Sequence, residues 1–249
     1  MLNSYFPEKN QIFSMKGIPE ITISPRFCGP PGTSNGGYTC GLLDNLTDYV
    51  SAVTLRRPPP LDKKLQVRRE GDPLQLMDGD HLIASARPGA VEFTAPPPPE
   101  WKQAVQASQN YIGFKSHPFP GCFVCGPERR EHDGLRIFAG RVGEGPLLAS
   151  PWIPDPELAG ENGQIRNEFL WAALDCPGAF VFSRDHMPKL VLGRMTARAE
   201  RTIAAGEQCV VVAWPKGQDG RKYFSGTAIY NQKRELCAVA AAIWIELVS

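Results

Sequence analysis

No basic run in this 249-residue sequence exceeds two residues, as at Arg56-Arg57, and 27 Lys and Arg are balanced by 26 Asp and Glu. The electrostatic footprint of a nucleic-acid binder is therefore missing, and no nucleic-acid partner is expected. Long hydrophobic runs are missing too. The longest, Leu236 to Ile245, is about half of what a bilayer span requires, so no membrane partner is expected either. The opening segment carries Glu8 and no apolar stretch, which does not read as a secretory signal and points to a cytoplasmic protein. A paired cysteine framework is also lacking: the 7 cysteines are odd in number and irregular in spacing, as expected of reduced, mostly buried thiols. Cys122-Phe-Val-Cys125 has metal-binding spacing, with His117 and His132 nearby. A zinc site usually needs a second such pair, and the sequence has none, so neither a metal nor another cofactor is expected. A thioredoxin-like redox role would need a βαβ pattern around the pair, which is equally absent.

What is present is apolar material, 42% of the residues against 21% charged, enough to build real cores. The length suits two domains of roughly 100 to 130 residues each. A boundary stands at Thr94-Ala-Pro-Pro-Pro-Pro-Glu100, too stiff for a helix or a central strand, followed by a helical patch at Trp101 to Gln109. This divides the chain into an N-terminal domain over 1–93, a linker with a short helix over 94–120 and a C-terminal domain over 121–249.

The two halves repeat one order of events. In the first, an extended start (Ile21 to Phe27) leads into a helix over Gly36 to Val50. Strands follow at Ser51 to Arg57, Leu65 to Arg69, Leu74 to Met77 and His81 to Arg87, the last two joined by the turn Asp78-Gly79-Asp80. In the second, extended segments at Gly134 to Phe138 and Leu147 to Trp152 precede a helix starting at Asn167 and reaching at least Asp175. Strands at Gly193 to Ala199, Gln208 to Trp214, Tyr223 to Tyr230 and Leu236 to Glu246 complete it. Asn35 through Asp44 lies over Arg166 through Asp175, Val53 to Arg56 over Met195 to Arg198, and Leu82 to Ala84 over Leu236 to Ala238. Each helix is too apolar to face water, so its own sheet must bury it. The expected fold class is α+β: two tandem hotdog domains, each an antiparallel sheet wrapped around a central helix.

Asn35-Gly36-Gly37-x6-Asp44 resembles the His-Gly-Gly-x6-Asp helix start of hotdog thioesterases of the phenylacetyl-CoA thioesterase-like type, with Asn in place of His. Phe119 to Pro127, containing the cysteine pair, and Gly134-Leu-Arg136 resemble a lead-in segment seen in many of these proteins. The resemblance spans about Ile21 to Leu247 and implies hydrolysis of an acyl-CoA or related thioester. Independently of any family, such chemistry needs donors for a developing oxyanion and a carboxylate that attacks or activates water. A glycine-opened helix N-terminus supplies the donors and lets a carbonyl approach closely.

In the resembled proteins the carboxylate comes from the neighbouring module's helix, which implies two composite sites. One joins Asn35, Gly36 and Gly37 to Asp175; the other joins Asn167 and Glu168 to Asp44. The first is preferred, because Glu168 puts a side chain and a negative charge where the family has glycine. Trp171 and Phe169 read as core. Two other readings stay open: an acyl-CoA hydratase or dehydratase of the same fold, and a non-catalytic acyl-CoA-binding protein. The first would use a histidine, yet none of His81, His117, His132 and His186 stands at a helix start. Gly32-Thr-Ser34-Asn-Gly36 matches the nucleophile-elbow pattern but follows Pro30-Pro31 instead of a buried strand, and no doubly wound sheet surrounds it. Two modules in one chain already form the paired unit, and further pairing into a homo-oligomer through sheet edges or faces stays open.

Overall fold

A computed structural model describes residues 20–69, 71, 73–183 and 188–247. Glu8 and His186, weighed above, lie outside the described residues. The strands are β1 (Glu20–Thr22), β2 (Ser51–Leu55), β3 (Lys64–Arg68), β4 (Leu74–Asp78), β5 (His81–Pro88), β6 (Gly140–Arg141), β7 (Leu148–Trp152), β8 (Leu190–Ala199), β9 (Cys209–Asp219), β10 (Lys222–Tyr230) and β11 (Leu236–Glu246). The helices are α1 (Gly36–Asp44), α2 (Trp101–Gln109), α3 (Asn167–Ala173) and α4 (Pro177–Phe180). Among the described residues no helix is long and apolar enough to cross a membrane.

All the strands join one antiparallel sheet in the order β1-β3-β4-β5-β2-β8-β11-β10-β9-β7-β6. Outward from the β2–β8 seam, the first half runs β2-β5-β4-β3-β1 and the second β8-β11-β10-β9-β7, which is the same sequence of strands twice. At the seam Val53 pairs with Met195. These are the two residues matched between the repeats, and a residue facing its own equivalent is what a pseudo-two-fold axis through that pair requires. The double hotdog expected from sequence is the fold observed.

The inner face of this sheet carries the main core, with Val53, Leu65, Leu76, Met195, Val211 and Ile229 fully buried. Along β9 the alternate residues Val210 and Val212 face the other side, into a smaller cluster with Ala104, Ala149 and Tyr230. The proline stretch and α2 cover that outer face. Tyr230 Oη donates to Pro96 O at 2.7 Å, and the Arg234 guanidinium donates to Pro98 O at 2.8 Å. The segment expected as a linker is thus pinned to the sheet.

α1 and α3 lie antiparallel against each other on the inner face. A Cβ on Gly41 would come 2.5 Å from Glu168 Cα, and one on Gly37 would come 2.6 Å from Trp171 O. Backbone meets backbone at both points, so only glycine fits. Each helix is therefore buried by its sheet on one side and by its twin on the other.

Several boundaries differ from the sequence-based expectations. α1 stops at Asp44, well short of Val50, because Thr47 turns back, its N–H and Oγ1 both donating to Asp44 O. Short polar side chains such as these compete with helix propagation. The second helix breaks after Ala173, and Pro177 opens α4. Residues 134 to 138 form no strand but run alongside the cysteine segment, Leu135 N donating to Phe123 O and Ile137 N to Val124 O. Strand pairing also corrects one repeat match. Val53 faces Ala86 and Met195 faces Ala242, so Ala84 corresponds to Ala240, two residues beyond Ala238. A slip of two leaves the in-out alternation of a strand unchanged, which is why apolar pattern alone did not detect it.

Gly41→Ala is expected to lower the unfolding free energy by about 1–3 kcal/mol through overpacking of the helix pair. Gly145→Ala, where a Cβ meets nothing within 4 Å, should stay within about 0.5 kcal/mol of the parent, both read by urea titration.

Candidate functional site

Asn35 caps α1, its Oδ1 accepting from Tyr38 N at 2.9 Å, and this fixes the amide so that Nδ2 points across to the other half of the chain. There Nδ2 donates to Asp175 Oδ2 at 2.8 Å, and Gly37 N donates to the same oxygen at 2.9 Å. The structure therefore brings Asn35, Gly37 and Asp175 into direct contact. Asn35 and Asp175 are each only 2% exposed. The second carboxylate oxygen, Asp175 Oδ1, is buried and finds no partner among the described residues. An unpaired buried oxygen of this kind is costly and marks a place where a ligand or water is wanted. Burial pushes the Asp175 carboxyl up to about 7, with the negative charge of Cys122 adding to the rise, while the Gly37 N–H and the Asn35 amide oppose it.

The first turn of a helix offers N–H groups without intrahelical acceptors. Here Asn35 N donates to Phe27 O, Gly37 N to Asp175 and Tyr38 N to Asn35. Among the described residues the N–H of Gly36, a half-buried residue, makes no hydrogen bond outside its helix. A Cβ there would press on the side chains of Leu192 and Leu55, at 2.9 and 3.2 Å. Gly36 thus presents a bare backbone donor beside two leucines.

The pseudo-equivalent place is built differently. Asn167 Nδ2 donates to Asp44 Oδ2 at 2.8 Å, and Ser51 Oγ donates to Asp44 Oδ1 at 2.7 Å. Glu168, buried at the position matching Gly37, accepts from Asn45 Nδ2 at 2.9 Å and lies 3.5 Å from the Arg166 guanidinium. Asp44, Asn167 and Glu168 are therefore gathered as expected, but into a closed polar network in which both oxygens of Asp44 have partners. Ser51 was not foreseen, and its place at the start of β2 gives no sequence signal for it.

Aromatic side chains fill the space between the helices and the cysteine segment. Phe27 stacks on Tyr38 at 4.3 Å between ring centroids, with Phe123 edge-on and Phe169 tilted against it. Phe169 and Trp171 are buried in the main core, as the sequence suggested. Behind Asp175, Cys176 joins Cys122 and Cys125, the three sulfurs lying within 4.8 Å of one another. The sequence has no second pair at this spacing, and the third cysteine comes singly, from the residue after Asp175. Hydrogen bonds from the Cys125 and Cys176 thiols push the Cys122 thiol well below its ordinary range. Of the two candidate histidines, His117 touches Cys125, whereas His132 is exposed and pairs with Asp155.

No family model and no curated protein matches the sequence. Solved structures do match over nearly the whole chain. A TesB protein from Mycobacterium avium subspecies paratuberculosis matches with TM-score 0.58 at 10% identity, over 92% of this chain and 92% of its own. An assigned thioesterase from Novosphingobium aromaticivorans matches with TM-score 0.57 at 14% identity, over 92% and 95% respectively. An assigned oleoyl thioesterase from Lactobacillus plantarum matches with TM-score 0.54 at 12% identity, over 93% and 96%. At such identities the likeness is one of fold, and it covers both halves together.

Asn35→Ala removes the helix cap and one of the donors to a buried carboxylate. The expected loss is about 1–3 kcal/mol of stability, measured by denaturant unfolding, and a loss below about 0.5 kcal/mol would contradict the arrangement described.

Proposed function

We propose that the protein is a thioester hydrolase acting on an acyl-CoA or a related thioester at the composite site of Gly36, Gly37, Asn35 and Asp175. The observation that carries this reading is the state of the Asp175 carboxylate. One oxygen is pinned by Gly37 N and Asn35 Nδ2, and the other is buried without a partner among the described residues. A group held in place with one unused lone-pair face is what a general base requires. In this reading the Gly36 N–H, at the positive end of α1, receives the thioester oxygen. Asp175 Oδ1 takes a proton from water as the water oxygen bonds to the carbonyl carbon. The carbon–sulfur bond then breaks, the thiolate leaves with that proton, and a free carboxylic acid remains. Leu55 and Leu192 flank the path by which the acyl group reaches Gly36. The closed network around Asp44 and Glu168 favours one working site in the chain over two.

One observation favours a second reading, that of a non-catalytic acyl-CoA-binding protein. Asn35 and Asp175 are almost fully buried, so water reaches the carboxylate only if the site opens. A hydratase or dehydratase reading has less support, because no histidine among the described residues reaches Asp175 or Asn35.

The test is CoA release from short, medium, long and aromatic acyl-CoAs, followed with a thiol-trapping dye. Release is expected from at least one class, and Asp175→Asn is expected to lower kcat about 10²–10⁴-fold, the usual contribution of a positioned base. Binding without release across the whole set would establish the binding reading, and formation of a hydrated product from an enoyl-CoA would move the assignment to a hydratase.

A further inference from the structure

The cluster of Cys122, Cys125 and Cys176 plays no part in the chemistry above, yet it is built with care. Its sulfurs come from two segments far apart in sequence, and the three side chains are buried, at 3%, 3% and 9% exposure. Cys122 Sγ and Cys176 Sγ are 3.6 Å apart. A tetrahedral ion with metal–sulfur bonds of about 2.3 Å would place its sulfurs about 3.8 Å from one another. The cysteine pair sits in a tight turn closed by backbone hydrogen bonds, Cys122 N donating to Phe119 O at 2.9 Å. Gly126 N donates to Cys122 O at 2.9 Å, and a Cβ on Gly126 would come 2.6 Å from Cys122 N, so this turn demands glycine.

His117 completes the surroundings in a particular way. Its Nδ1 accepts from Phe119 N at 2.9 Å, so the neutral ring carries its proton on Nε2, which lies 3.4 Å from Cys125 Sγ. A second donor, Asn35 Nδ2, lies 3.7 Å from Cys176 Sγ. Two of the three sulfurs are thus approached by an N–H group. Such donors stabilise thiolates far more than thiols, and a disulfide would use neither the third sulfur nor these donors.

We propose that Cys122, Cys125 and Cys176 are the ligands of a resident zinc ion, a role for which soft thiolates are suited. Binding leaves all three sulfurs as thiolates, those still protonated releasing their protons, and the net charge of −1 left on three thiolates and a divalent ion is offset by the nearby N–H groups. His117 supports a sulfur and does not bind the metal. The protein supplies three of the four ligands. The ion ties the 117–126 segment to the turn between α3 and α4, one residue from Asp175, and so acts as a staple that positions the carboxylate.

The inference does not depend on the hydrolase reading, and its readout is elemental and spectroscopic. The full chain, purified without chelator or polyhistidine tag, should contain about one zinc per molecule. After chelation under reducing conditions, added Co²⁺ should produce the sulfur-to-metal charge-transfer band and intense visible bands of a tetrahedral thiolate site. Cys122→Ser and Cys176→Ser should abolish both signals, Cys209→Ser should leave them intact, and His117→Gln should keep the metal with affinity about 10–100-fold weaker. Because a serine variant can simply fail to fold, the parent chain decides the question. Folded, reduced parent protein with neither zinc nor a cobalt spectrum would overturn the proposal, as would an intact mass showing that two of the three sulfurs are joined as a disulfide.

Discussion

Two apolar helices share one interior because their backbones come closer than side chains allow. Gly37 and Gly41 present no Cβ to Trp171 O, Asp175 and Glu168, and that contact sets the spacing of everything around it. With α1 and α3 so close, the end of α3 falls against the start of α1. A carboxylate there is within reach of free N–H groups from the opposite half. The polar contact across the helix pair and the apolar burial of both helices therefore have one geometric cause. The sheet follows from the same constraint, since the two wrapped layers merge into a continuous sheet only if the helices they enclose lie side by side.

The polar contact is stable because its partners are pre-positioned. Asn35 is held by its own cap bond to Tyr38 N before it donates to Asp175, so little side-chain entropy remains to be lost when the second bond forms. The price of this arrangement is the unmatched Asp175 Oδ1. At the equivalent place in the other half Ser51 supplies the missing donor, and the polar network closes.

The repeat was legible in the sequence because both helices carry Leu-Asp at the end of their matched segments and both precede four strands. That match set the two helix starts and ends side by side in the alignment, and the resemblance to hotdog thioesterases, in which the carboxylate comes from the neighbouring module's helix, implied that Asn35, Gly36 and Gly37 meet Asp175. The details not legible had local or long-range causes. The end of α1 depends on a Thr47 turn that competes evenly with helix, and the strand register escaped because a two-residue slip preserves alternation. Cys176 joins a pair more than fifty residues earlier in the chain, which no spacing rule reveals. The residue sits in Leu-Asp-Cys-Pro-Gly, and only the folded chain shows that the turn from α3 to α4 aims its sulfur back at Cys122.

The Val53–Met195 seam has a consequence for how such a chain can change. In a symmetric pair of separate subunits every substitution is made twice, so a residue that blocks one site blocks both, and a residue that binds metal beside one site must do so beside the other. Joining the halves removes that restriction. Glu168 can occupy the place that Gly37 holds in the other half, and a cysteine can follow Asp175 while Asn45 follows Asp44. One half is then free to become a support for the other, and the axis that once related two equal positions now only records where they were equal.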